Sequence, residues 1–79
     1  SLFHVERYQE RVAAKGHELI NRYDARLAAE QDTAARKALR QQANAEIAAM
    51  LQKETDDTLD KVLFELSSQM KNAYSRSDA

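Results

Sequence analysis

The chain has 79 residues, enough for one domain with a thin core, and its lack of cysteine excludes disulfides and thiolate metal sites. Its 12 basic and 13 acidic residues nearly cancel to a net charge of −1, which argues against general nucleic-acid binding, because that binding needs an excess of Lys and Arg. Proline is absent and the only glycine is Gly16, so the composition predicts an all-α chain. We interpret residues 1–79 as a single helical domain or as a helical segment of a larger protein.

The first predicted helix covers about residues 2–30. Its large apolar residues recur at intervals of three and four, which places them on one helix face: Val5, Tyr8, Val12, Leu19, Ile20, Tyr23 and Leu27. Gly16 lies within this face, although glycine in a helix interior costs about 1 kcal/mol relative to alanine. Two explanations stay open: another backbone passes close to Gly16, or the helix tolerates the defect.

A second helix is predicted over about residues 33–52, where the apolar pattern changes phase. Asp32 or Thr33 can cap its start, since both side chains accept hydrogen bonds from free backbone N–H groups. A stripe of small residues, which permits close helix packing, runs beside the bulkier residues. The bulkier set is Leu39, Ala43, Ile47, Met50 and Leu51, and the small set is Ala34, Ala38, Ala45 and Ala48.

A third helix is predicted over about residues 56–74, where the chain is strongly amphipathic again. Thr55 can cap its start, and Asp56 and Asp57 then lie in its first turn, where the helix dipole favours carboxylates. Its apolar face consists of Leu59, Val62, Leu63, Leu66 and Met70.

These patterns predict an antiparallel, coiled-coil-like bundle of two or three helices, with breaks near residues 31–33 and 53–56. Neither connection contains Gly, Pro or Asn, the residues that usually end helices. One long continuous helix is therefore the alternative.

No residue pattern indicates catalysis. The two histidines, His4 and His17, are too far apart in sequence to form a helical metal pair, and a single glycine excludes glycine-rich phosphate loops. His17 shares a helix face with Asn21 and Asp24, which we interpret as a solvated polar face. The sequence therefore predicts a protein that is not an enzyme and has no catalytic residue, cofactor or metal.

Two basic groups are the other candidates for ligand binding. One is Arg7, Arg11 and Lys15, and the other is Arg36, Lys37 and Arg40. Acidic residues lie close to both groups in sequence, so we interpret them as self-neutralised solvated faces rather than as anion sites.

The weak apolar content of the middle segment predicts that the chain associates with another helical protein or with a second copy of itself. Burial of a large apolar side chain contributes about 1.5–3 kcal/mol, and few such side chains are available here to offset the backbone entropy. The predicted interface is Val12, Gly16, Ile20, Tyr23, Leu27, Leu39, Ala43, Ile47, Met50, Leu51, Leu59, Val62, Leu66 and Met70.

The function that follows is a non-catalytic helical interaction module, such as an adaptor, an assembly factor or a chaperone-like subunit. A stalk or rod in a large complex is one alternative, and a charged helix that binds RNA or a membrane surface is another. No apolar run approaches the roughly 20 residues that span a bilayer, and no secretory signal is visible, so we expect a soluble, cytoplasmic, oligomeric chain.

Overall fold

The structure, a computed structural model, describes the backbone of residues 2–78 and the side chains of residues 3–72. Helix α1, Leu2–Ala29, has 28 residues, and helix α2, Thr33–Asp78, has 46 residues. The two helices pack against each other as an antiparallel hairpin with dimensions of 71 × 17 × 9 Å. The predicted all-α class is confirmed, and the alternative of one continuous helix is wrong because the chain reverses direction at residues 30–32.

The turn between the helices is closed by side chains, which explains why it needs neither glycine nor proline. The Asp32 carboxylate accepts a hydrogen bond from the Ala35 backbone N–H at 2.9 Å, so Asp32 is the N-cap, one of the two residues that the sequence offered for this role. At the end of α1, the Arg36 guanidinium donates to the backbone carbonyls of Leu27 and Glu30, the latter at 3.1 Å. The turn thus satisfies free backbone groups of both helices.

The predicted second break near residues 53–56 is wrong, because α2 continues through this segment without interruption. The Thr55 hydroxyl is 3.2 Å from the Tyr8 hydroxyl of α1 and forms a hydrogen bond with it. Gln52 donates to the Asp56 carboxylate at 2.9 Å, a contact between residues four apart that helical geometry produces. The change of apolar phase therefore does not mark a turn.

Cross-helix contacts define how the two helices are aligned. His4 lies 3.3 Å from Glu65, Arg11 lies 3.0 Å from Thr58, and Glu46 is near enough to Tyr23 to raise the pKa of its hydroxyl. The start of α1 therefore lies beside residue 65, and α2 extends about 20 Å beyond it at 1.5 Å per residue. We call this extension, residues 66–78, the overhang.

The seam between the helices contains most of the half-buried apolar side chains. Tyr23 is 5% exposed and is the one buried hydrophobic residue in the described part of the chain. A Cβ at Gly16 would lie 4.0 Å from the Cε of Met50, so the nearest neighbour is a side-chain end and not a backbone. Within the hairpin, this geometry favours the interpretation of Gly16 as a tolerated defect.

Candidate functional site

A polar layer fills the hairpin near its open end. Glu54 and Thr58 of α2 are only 3% and 8% exposed. The Glu54 carboxylate accepts a hydrogen bond from Arg11 Nε at 2.7 Å and another from Lys15 Nζ, and Arg11 also donates to Thr58. Every buried side-chain N or O atom in the described residues has a hydrogen-bond partner, so the layer is fully satisfied.

The charges in this layer hold Glu54 ionised. Hydrogen bonds from Lys15 and then from Arg11 lower the pKa of the Glu54 carboxyl from 4.5 to about 2. A carboxylate that already accepts hydrogen bonds from two cations is a poor proton acceptor at neutral pH. The geometry of the layer therefore fits a structural role, in which it ties α1 to α2.

Charged residues cover one flank of the hairpin, which we call the charged flank. At 100° per residue, the positions on this side of the seam carry both basic and acidic side chains. They include Arg11 and Lys15, which form ion pairs with Glu54. They also include Arg7, whose guanidinium lies 5.4 Å from the ring centre of Phe3. The other members are Glu18, Arg22, Glu46, Lys53, Asp57, Lys61 and Glu65.

On the opposite side of the seam, the positions that share one helix face are all uncharged between residues 5 and 20 of α1 and between residues 44 and 66 of α2. We call this side the uncharged flank. Its positions follow three-and-four spacing on both helices, as a helix-packing surface requires. They are Val5, Gln9, Ala13, Gly16 and Ile20 on α1, and Asn44, Ala48, Leu51, Thr55, Leu59, Val62 and Leu66 on α2.

The uncharged flank exposes large aliphatic side chains. Val5 is 44% exposed, Ile20 47%, Leu51 37%, Leu59 53% and Leu66 49%. Near the open end, Val5 and Leu59 line a groove of about 270 Å³. Its other lining residues are Tyr8, Thr55 and Thr58.

The structure divides the predicted interface residues into two groups. One group lies in or beside the seam of the hairpin, where its side chains are buried or half-buried: Val12, Gly16, Tyr23, Leu27, Leu39, Ala43, Ile47, Met50 and Val62. Gly16 and Val62 lie at the border between the seam and the uncharged flank. The other group is exposed: Ile20, Leu51, Leu59, Leu66 and Met70.

The sequence analysis did not identify the polar layer. It placed Arg11 and Lys15 on a solvated face and assigned no role to Glu54 or Thr58. A signal was present, because Glu54 and Thr58 continue the three-and-four spacing of Ile47 and Met50 and therefore share their side of α2.

No family model matches the chain, and no curated protein or solved structure matches it. No group of three or more potential metal ligands occurs among the described residues. Nor does the described part contain a helix that is both long and apolar enough to cross a membrane.

Proposed function

We propose that this chain is a non-catalytic interaction module that binds a helical partner along its uncharged flank. One observation carries the proposal: at the level of Glu54, the hairpin buries polar side chains and exposes large apolar ones. Leu51 and Leu59, on either side of this level, are 37% and 53% exposed, whereas Glu54 is 3% exposed. A hairpin selected to be stable alone would place leucines in the seam.

Burial of these exposed side chains supplies a driving force for docking. Full burial of a large aliphatic side chain contributes about 1.5–3 kcal/mol, so covering a half-exposed one contributes about 1 kcal/mol. The helical spacing of the exposed residues matches the ridges and grooves of another helix. A helix, rather than an extended peptide, is therefore the partner that this surface fits.

The charged flank gives less support to RNA or membrane binding. Arg11 and Lys15 donate hydrogen bonds to Glu54, and acidic residues lie among the remaining basic residues of this flank. A spacer role has more support, because the hairpin is 71 Å long and only 17 Å and 9 Å in its other dimensions. Even a spacer, however, gains nothing from large aliphatic side chains on the uncharged flank that stay exposed to water.

Site-specific photo-crosslinking in the cells that naturally make the chain tests this function. A photoreactive phenylalanine analogue replaces Leu59 on the uncharged flank or, as the matched control, Glu18 on the charged flank. We expect protein adducts from position 59, with the linked residue in a helix of the partner, and few adducts from position 18. Equal crosslinking from both positions, or none from position 59, would overturn the proposed function.

A further inference from the structure

We infer that the partner on the uncharged flank is a second copy of this chain, which completes an isologous four-helix dimer. This inference rests on the function proposed above and names the partner at the same site. Three observations carry it: the absence of charge on the flank, the surface area that the hairpin leaves exposed, and the apolar face of the overhang.

The charge pattern indicates which flank can pack against the same flank of a second copy. In an isologous dimer the same surface patch meets its own copy, so a patch dominated by one sign of charge would repel itself. None of the positions that form the uncharged flank, between residues 5 and 20 of α1 and between residues 44 and 66 of α2, carries a charged side chain. The charged flank would instead bring its ion pairs against a second set of ion pairs and bury both, which carries a desolvation penalty.

The exposed area is large enough for such a dimer. The chain exposes 6237 Å², whereas a compact monomer of 9.0 kDa exposes about 4,800 Å². The excess is about 1,400 Å², and a stable interface of standard size buries about 800 Å² on each partner. A second copy on one flank would therefore bury no more surface than the hairpin leaves exposed in excess of a compact monomer.

The overhang indicates the direction of the second copy. Leu66 and Met70 are 49% and 61% exposed and lie beyond the start of α1. If the two copies ran parallel, α2 would face α1 of the partner, and the overhang would have no helix beside it. With the copies antiparallel and the two-fold axis near Leu59, Met70 lies beside Ala48 of the other copy, so a large side chain meets a small one.

Sedimentation equilibrium over a range of concentrations tests the dimer. We expect the unmodified chain to form a dimer, and Leu59→Glu to raise the dimer dissociation constant about a hundredfold, since the change occurs twice in each dimer. Phe64→Glu is the matched control, because Phe64 is 75% exposed and lies on the other side of α2. It removes a larger apolar side chain than Leu59 and adds the same charge, yet should shift the dissociation constant less than about threefold.

Circular dichroism of the dilute samples shows whether each variant keeps its helices. If Leu59→Glu unfolds, Leu59→Gln replaces it, with an expected increase of about tenfold in the dissociation constant. A chain that stays monomeric at every concentration would overturn the dimer. Photo-adducts from position 59 to a different helical protein would then still support the proposed function, so the two failures are distinguishable.

Disulfide trapping tests the antiparallel direction, because the chain has no cysteine of its own. In a mixture of the Met70→Cys and Ala48→Cys variants, we expect crosslinks between the two different variants. The Met70→Cys variant alone should crosslink poorly, since its two copies of residue 70 lie about 33 Å apart along the dimer. Efficient self-crosslinking of Met70→Cys would place the two copies of residue 70 at the same level of the dimer and would overturn the antiparallel arrangement.

Discussion

Glu54 lies deeper in the hairpin than Leu51, which precedes it by three residues on the same helix: Glu54 is 3% exposed and Leu51 is 37% exposed. The usual preference of the two residue types is the reverse. The inversion is possible because Arg11 and Lys15 of α1 reach Glu54 and satisfy its carboxylate. It leaves α2 with two packing surfaces, one toward α1 and one on the uncharged flank.

Replacement of Glu54 by glutamine should lower the melting temperature at neutral pH, because the amide has no negative charge and only one acceptor oxygen for Arg11 and Lys15. The pKa of Glu54 falls from 4.5 in the unfolded chain to about 2 in the hairpin. A depressed pKa gives stability that is fully present above about pH 4.5 and is lost as the pH falls toward 2. The difference in melting temperature between the unmodified chain and Glu54→Gln should therefore shrink across this range.

Thermal unfolding followed by circular dichroism at several pH values measures this difference. Glu18→Gln is the matched control, since Glu18 is an exposed carboxylate on the charged flank. A difference for Glu54→Gln that stays constant from neutral pH to pH 2 would contradict the assigned ion pairs.

Truncation of Ile47 and of Leu51 should separate the two surfaces of α2. Ile47 is half-buried in the seam, so Ile47→Ala should destabilise the hairpin by about 2 kcal/mol. Leu51 belongs to the uncharged flank, and Leu51→Ala should cost less than about 1 kcal/mol in the monomer. Urea unfolding at concentrations too low for association measures both values, and equal losses would argue against the two-surface description.

Loss of the cap at the turn should weaken the hairpin through α2. Asp32→Ala removes the carboxylate that accepts the Ala35 N–H, which should cost about 1 kcal/mol. Thr33→Ala tests the other residue that the sequence offered as a cap, and we expect less than about 0.5 kcal/mol. Urea unfolding of both variants checks the assignment, which fails if Thr33→Ala is the more damaging change.

Alanine at position 16 should stabilise the hairpin by about 1 kcal/mol, because Gly16 has no positive φ angle and lies within α1. The added methyl group would lie 4.0 Å from Met50 Cε, an ordinary van der Waals contact. Ala14→Gly, on an exposed position of the same helix, should have the opposite effect of similar size. Destabilisation by Gly16→Ala would show that something approaches this position more closely than the hairpin does.

The sequence was sufficient for the all-α class and for the turn near residues 31–33, but not for the continuity of α2 or the contents of the seam. Asp32 marked the turn because capping is a local interaction between residues three apart, visible in any single sequence. In the sequence, Thr55 was an equally good candidate for a second cap. Its hydrogen bond to Tyr8 of the other helix is what distinguishes Thr55 from the true cap, Asp32. Partners that are 47 residues apart, as Tyr8 and Thr55 are, leave no local signal.

The sequence also could not show that five members of the predicted interface lie outside the seam. A change of apolar phase has two physical causes, a bend in the chain or a second packing surface on one helix. Periodicity records the angle of each side chain around the helix axis, and both causes give the same angles. Leu59 and Leu66 thus fitted a third helix in the sequence, whereas in the structure they extend the second surface of α2.

The short connection at residues 30–32 has a consequence for how the molecule folds. It places Leu27 and Arg36, only nine residues apart, in contact, so the least entropy is lost when the helices first meet at this end. We expect folding to nucleate there and to spread toward the other end of the hairpin. The open end of the hairpin, which carries Leu59, Leu63 and Leu66, then becomes ordered last. It therefore stays available longest for association with a neighbouring chain that is synthesised at the same time.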